Sequence, residues 1–438
     1  MKKLILFSII PALILIPVFS IAQHTDNISL TLSKAINLAT NNQPLLREAE
    51  DYVKVAQGKV QQSESSKYPQ ISAALSYNYM GPIPSIVIPF GPGGRFDLAP
   101  ANNFNEHIDV KYLIFDFNRR NEFINLLKSN SLAEQEKINL LKNRLAYQTV
   151  QAFYSVLFLR KSLKVKEEQK KDLMRHLATS KKLVETGSAI SLDTLTTHVR
   201  VTAIDNQKVS INNLLLRNEI VLKSLLNLHN TSNIHLTGGF VTSVPKMSLD
   251  SLIAVAFANR EEIKLTKIGQ QAANIQKNIA KLSRMPTLSA IGSYGIKNGY
   301  PDALYKMRSN WLLGLEANIP IFDGYMKKAK METANWNFHA VQNHLDVLKK
   351  TISREVQQAE SELLSSQKQL KMAREEIISA QAAVKQARVQ YKSGYVTNLS
   401  LLDAETSLTR ARLSFVAGLY KITLNKYRLM EAMGLKIW

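Results

Sequence analysis

The chain has 438 residues, 45% of them apolar and 21% charged, with no cysteine and a formal charge of +21. So apolar a composition excludes disorder. A mean hydropathy of −0.12, with no run of about 18 apolar residues past the N-terminus, excludes a polytopic helical membrane protein. Without cysteine there is no disulfide, thiolate metal site, cysteine nucleophile or lipidated N-terminal cysteine, and the charge suits nucleic acid or an anionic surface.

Residues 1–22 read as a secretory signal peptide. Met1-Lys2-Lys3 is the basic start, Leu4 to Val18 the apolar core, and Ser20-Ile21-Ala22 places small residues before Gln23. Pro11 and Pro17 argue against a retained anchor helix. Export weighs against nucleic acid as a partner.

A first unit then occupies 23–230. Residues 71–79 alternate, with Ile71, Ala73, Leu75, Tyr77 and Tyr79 against Ser72, Ala74, Ser76 and Asn78. Alternation returns at Ile108, Val110, Tyr112 and Ile114, between which lie Asp109 and Lys111. This predicts strands over about 69–79 and 106–115, each with one apolar and one polar face and near the length of a tilted membrane-spanning strand. The loop 80–104 between them is rich in proline, and its Gly91-Pro92-Gly93-Gly94-Arg95 run lacks the Gly-Lys-Ser/Thr of a phosphate loop. Its place is the connection between two strands. A helix free of Pro and Gly over about 119–186 and a return helix over about 191–228 follow, then a linker at 231–246.

The second unit, 247–438, repeats the first. Lys67-Tyr68-Pro69 through Tyr77 resembles Arg284-Met285-Pro286 through Tyr294, and Ile114-Phe115-Asp116 matches Ile321-Phe322-Asp323. Such self-similarity marks a tandem duplication. Strands are predicted over about 286–296 and 310–321, the first weakened by Gly292 and Gly295. The long helix spans about 325–392 and the return helix about 398–433. From Leu345 an apolar stripe runs through Leu348, Ile352, Val356, Ala359, Leu363, Leu370, Ala373, Ile377, Ala380, Val384 and Ala387 to Tyr391, with polar Ser366 in the one vacant place. Steps of 3 and 4 in alternation are the pattern of left-handed coiled-coil packing. The class is therefore mainly α with added β: long antiparallel coiled-coil hairpins plus two β-hairpins per protomer, whose alternation fits a half-buried soluble hairpin as well as membrane β. Four strands leave two open edges, so closure needs further copies, and three would supply twelve strands.

Each long helix ends at a glycine. Gly187 and Gly394 suit the left-handed residue past a helix end, and Ser191 or Asn398 suits the cap of the helix that follows.

These tips, Glu185-Thr186-Gly187 through Asp193 and Tyr391-Lys392-Ser393-Gly394 through Asp403-Ala404-Glu405-Thr406, resemble those of the TolC family of outer-membrane efflux proteins. The Tyr68-Pro69 and Met285-Pro286 strand entries, Pro320-Ile321-Phe322-Asp323-Gly324-Tyr325 and the helix from Ala411 to Gly434 are also similar. The resemblance spans nearly the whole mature chain. It implies a homotrimer with a twelve-stranded barrel in the outer membrane and an α-helical tube in the periplasm. Such a protein is the exit duct of a tripartite efflux or type I secretion system, partnered by a periplasmic adaptor, an inner-membrane transporter and outer-membrane lipid. It further implies that Asp193 and Asp403 line a pore constriction and that Tyr391 helps latch it. Ser400 stands where another constriction aspartate is common, and Val396 where an arginine latch can occur. Gly187, Ser188, Leu192, Gly394, Tyr395 and Leu399 fall on the turns where an adaptor docks.

No enzyme, cofactor or metal site is expected. His339 and His344 are five apart, which does not set both on one helical face, and no nucleophile elbow or triad stands out. The basic charge reads as solvated helix faces, with attraction to acidic adaptor tips or anionic lipid as the functional alternative. The competing function is a non-conducting coiled-coil protein of the periplasm, which has no need of amphipathic strand pairs.

Overall fold

The structure, a computed structural model, describes residues 27–89, 94–229, 231–244 and 247–438. The expected signal peptide and the Gly91-Pro92-Gly93 part of the loop lie outside the described residues.

The first half runs β1 (Asn27–Leu30), α1 (Leu32–Asn42), α2 (Pro44–Glu64), β2 (Gln70–Tyr79), β3 (Ser85–Ile88), β4 (Gly94–Asp97), β5 (Asn102–Phe115), α3 (Arg119–Glu185), α4 (Ser191–Leu225) and β6 (Asn233–Leu236). The second runs α5 (Leu249–Asn259), α6 (Glu261–Leu282), β7 (Thr287–Lys297), β8 (Arg308–Asn318), α7 (Met326–Lys392) and α8 (Asn398–Ala432). Helix lengths repeat between the halves: 11 residues for α1 and α5, 67 for α3 and α7, and 35 for α4 and α8. Thr31 and Ser248 cap α1 and α5 by accepting from the backbone N–H three residues on, and Pro44 starts α2 where its missing N–H costs nothing.

At 67 residues, α3 spans about 100 Å. Its start lies beside the end of α2, through Lys128–Glu64 at 3.2 Å, and its far part beside α4, through Lys170–Asp205 at 2.6 Å. Along α7 the predicted stripe faces inward: Ile352, Val356, Ala359, Leu363, Leu370, Ala373, Val384 and Tyr391 are buried. Ser366 is buried with them, and its hydroxyl donates to the Leu363 carbonyl at 2.7 Å, which satisfies the polar group inside the seam.

The four long strands form one antiparallel sheet in the order β2-β5-β7-β8, and the β5–β7 pair joins the halves. Register sets Ala73, Ile108, Tyr294 and Trp311 in one rank and Ile71, Val110, Gly292 and Leu313 in another, all on one face. The opposite face carries ranks such as Ser76, Asn105, Lys297 and Arg308. The apolar side is bare, with Leu75 and Trp311 each 76% exposed and Leu313 80%. Gly295, expected only to weaken its strand, faces His107 so closely that a Cβ would stand 2.1 Å from the Glu106 carbonyl oxygen. The missing side chain is what admits β5.

The same turn carries each sheet half into its long helix. Phe117 and Asn118, and likewise Gly324 and Tyr325, take consecutive left-handed conformations, with φ of 55°, 69°, 64° and 66°. Asp116 then accepts from the Arg120 N–H at 2.7 Å, and Asp323 from the Lys327 N–H at 3.1 Å, each filling an orphan donor of the first helical turn.

Two stretches differ from expectation. The 80–104 loop contains the ribbon β3–β4, paired Ile86 to Phe96. The 231–246 stretch holds β6, which pairs in parallel with β1, Ile28 opposite Ile234. Beyond it Val241 donates to Thr423 Oγ1 at 3.0 Å and Phe240 stacks on Tyr154, so this segment belts α8 and α3 rather than hanging between units. Parallel pairing of short segments some 200 residues apart leaves no local mark in sequence. Among the described residues no helix is long and apolar enough to cross a membrane.

Candidate functional site

Both tips close in the same way. Gly187, at φ 73°, donates to the Val184 carbonyl at 3.0 Å and Ser188 to that of Leu183 at 2.7 Å. Gly394, at φ 76°, donates to Tyr391 at 3.1 Å and Tyr395 to Gln390 at 2.9 Å. This is the paired-bond helix stop that a left-handed glycine allows. The tips project apolar surface: Leu192 is 58% exposed, Tyr395 83% and Leu399 60%.

The expected caps are corrected. Ser191 and Asn398 are the first helical residues of α4 and α8, and the capping positions belong to Ile190, which has no capping side chain, and Thr397. Thr397 Oγ1 accepts from the Ser400 N–H at 3.2 Å, with the Ser400 hydroxyl 3.0 Å away.

Freed from capping, Asn398 is buried and ties the two halves together. Its Nδ2 donates to the Asp193 carbonyl and to Thr196 Oγ1, both at 3.2 Å, while its Oδ1 lies 2.6 Å from His176 Nε2. His176 packs edge-on to Tyr391, whose hydroxyl is 3.2 Å from Ser180 Oγ. Tyr391 is 7% exposed, so it sits inside this knot and within one protomer.

A second link lies beside it. Arg388 donates twice to Glu405 Oε1, at 3.1 and 2.8 Å, and reaches Asp172 at 3.4 Å. A third joins α4 to α8: Arg200 donates to Asp403 at 3.1 Å and to Thr406 Oγ1 at 3.0 Å. Asp403 is otherwise exposed, whereas the half-buried Asp193 carboxylate makes no ion pair among the described residues. The two aspartates are thus brought to the starts of neighbouring helices without touching. Sequence reasoning missed His176, Ser180, Arg200 and Arg388. His176 and Ser180 are four apart, one turn on the same helix face, which is the only local sign of them.

Above the Arg200 link, a groove of about 760 Å³ runs along α3 between α4 and α8. Phe158, Leu173, Ile204 and Leu413 give it apolar walls, and Lys166 and Arg200 project into it. Burial pulls Lys166 below the usual lysine range. No group of His, Asp and Glu able to hold a metal occurs among the described residues.

A sheet apolar on one side and polar on the other, open at both edges and carried on a helical shaft, is the subunit of a membrane channel continued as a tube. The outer membrane efflux protein family model matches residues 35–228 and 252–435. The chain belongs to this family, and it is an outer-membrane protein. It is 22% identical to the outer membrane protein TolC of Salmonella enteritidis over 445 residues, which covers 92% of this chain and 83% of that protein. Crystal structures of CusC share its fold, with a TM-score of 0.78 at 19% identity over 95% of this chain and 96% of that one. So does VceC of Vibrio cholerae, with a TM-score of 0.76 at 15% identity over 93% and 97%.

Proposed function

We propose that three copies close edge to edge into a twelve-stranded barrel, and that the resulting duct passively conducts small molecules or exported protein outward from an inner-membrane transporter. The observation that carries this is the sheet. Its apolar ranks are bare over four strands, its other face is polar, and both its outer edges, β2 and β8, lack a partner among the described residues. Lipid outside and water inside satisfy the two faces, and only further copies satisfy the edges. A coiled-coil rod confined to the periplasm has no use for such a surface.

In this duct the tips form the periplasmic end. Asp193 and Asp403, repeated three times, set carboxylates around a narrow mouth, where they attract cations. Ser400 adds no charge beside them. The His176–Asn398–Tyr391–Ser180 knot and the Arg200–Asp403 pair hold α7 and α8 against α3 and α4 and so latch the closed state. An adaptor meets the exposed Leu192, Tyr395 and Leu399 on the turns built by Gly187, Ser188 and Gly394.

Light scattering on the protein extracted from outer membranes in mild detergent tests the assembly. The expected protein mass is three mature chains. A particle that stays monomeric or dimeric and needs no detergent overturns the duct.

A further inference from the structure

Where the barrel meets the tube, two features coincide. The first is a ring of exposed aromatic side chains: Tyr68 is 70% exposed, Phe322 76% and Tyr325 73%, and Phe115 and Phe117 pack together at 4.7 Å. Aromatic girdles of this kind gather where a bilayer gives way to water, with the Tyr68 and Tyr325 hydroxyls able to face the headgroups, which places the periplasmic edge of the hydrocarbon here.

The second is charge. Just beyond the aromatic ring, on the helical side, stand Lys67, Arg119, Lys281, Arg284, Lys328 and Lys330. None of the six forms an ion pair among the described residues, and all but half-buried Arg119 are exposed. The nearby carboxylates do little to neutralise them. Asp116 and Asp323 accept from the backbone at the helix starts, and Glu64 pairs with Lys128 at 3.2 Å. Of the other carboxylates, Glu122 lies on the first turn of α3 and Glu332 on the second turn of α7. Arg119 and Lys330 also flank the mouth of an open groove between α6 and α7, whose wall at that end is apolar Ile279, Met326 and Ala329.

We propose that this junction is a binding collar for anionic phospholipid headgroups of the periplasmic leaflet, with the phosphates on the free cations and the upper acyl chain against the aromatic ring and the groove mouth. Charge complementarity singles out this occupant. A zwitterionic headgroup brings an ammonium into the same cationic field, whereas an anionic one adds only attraction, on the order of fivefold for each basic residue near the surface. The collar rests on the barrel spanning the membrane and adds to that reading what the rim selects.

Retained lipid measured by native mass spectrometry tests it. The full protein, stripped in detergent, is offered equal phosphatidylglycerol and phosphatidylethanolamine. Wild type is expected to retain the anionic lipid about tenfold over the zwitterionic one. The combined variant Lys281→Gln, Arg284→Gln, Lys328→Gln, Lys330→Gln should lose that preference while keeping the wild-type oligomer and melting temperature. Inorganic phosphate at millimolar concentration should leave the bound phospholipid in place, because the aromatic ring and groove hold the chains as well. Equal retention of both lipids by wild type, an unchanged preference in the variant, or release by phosphate alone overturns the collar and leaves the duct standing. A protein that takes up neither lipid and enters no bilayer overturns the duct together with the collar.

Discussion

Asp403 and Arg200 form an exposed pair across the gap between α8 and α4, at 3.1 Å. Its contribution to folding is therefore small, within about 1 kcal/mol, and under the proposed latch its effect falls on which tip arrangement is populated. Asp403→Ala is expected to raise the mean conductance of the purified channel in a planar bilayer severalfold at unchanged melting temperature. Equal conductance in wild type and variant denies the pair a latching role. Glu431, on α8 far from the tips, is a different case. Burial lifts its carboxyl to about 7, although Arg260 and Arg428 pull the other way. Between the ordinary carboxyl range and about pH 7 the folded chain keeps a proton that the unfolded chain has released, so stability falls as pH rises through that window and levels off above it. Glu431→Gln should therefore stabilise at pH 8, by about 1–2 kcal/mol once the partial solvation of the site is allowed for, and change nothing at pH 4. Denaturant melts at the two pH values decide it. An equal effect at both shows that packing, not ionisation, governs this residue.

Among the elements, the β5–β7 pair is the seam of the duplication, and Gly295 is its closest approach. Gly295→Ala drives a methyl group into the Glu106 carbonyl and should cost about 1–3 kcal/mol by forcing the strands apart. The loss reads out as a lower melting temperature of the detergent-extracted oligomer. Gly292→Ala is the contrast, since the nearest atom to its added Cβ is Leu313 Cδ1 at 3.7 Å, an ordinary contact. Equal melting temperatures for the two variants deny Gly295 its role. The same residue marks how far sequence reaches. Periodicity exposed the strands and the seam of α7, because alternation and 3–4 spacing are local consequences of which side of an element is apolar. Glycines at the tips declared themselves because few other residues hold a positive φ. A close approach between strands nearly 190 residues apart writes nothing local, and neither does the β1–β6 pair. The candidate site divides the same way. Its glycine turns are legible, while Asn398 reads as a cap, since a polar side chain at a helix start looks alike whether it bonds its own helix or its neighbour.

For the whole molecule, the decisive feature is that the two free edges of the sheet are unlike. β2 belongs to the first half and β8 to the second, so in the proposed ring copies join head to tail, and it closes only when the last β8 finds the first β2. Assembly of this kind is vulnerable to poisoning. A chain whose β8 edge is blocked by proline is still accepted by one neighbour through β2, yet it offers the other nothing. Made in equal amounts with the normal chain, it would leave roughly one trimer in eight free of it, under random mixing into a closed ring. Loss of transport should then be dominant over a normal copy of the gene, and far steeper than the share of defective protein. A proportional loss would mean that faulty chains are sorted out before the ring is built.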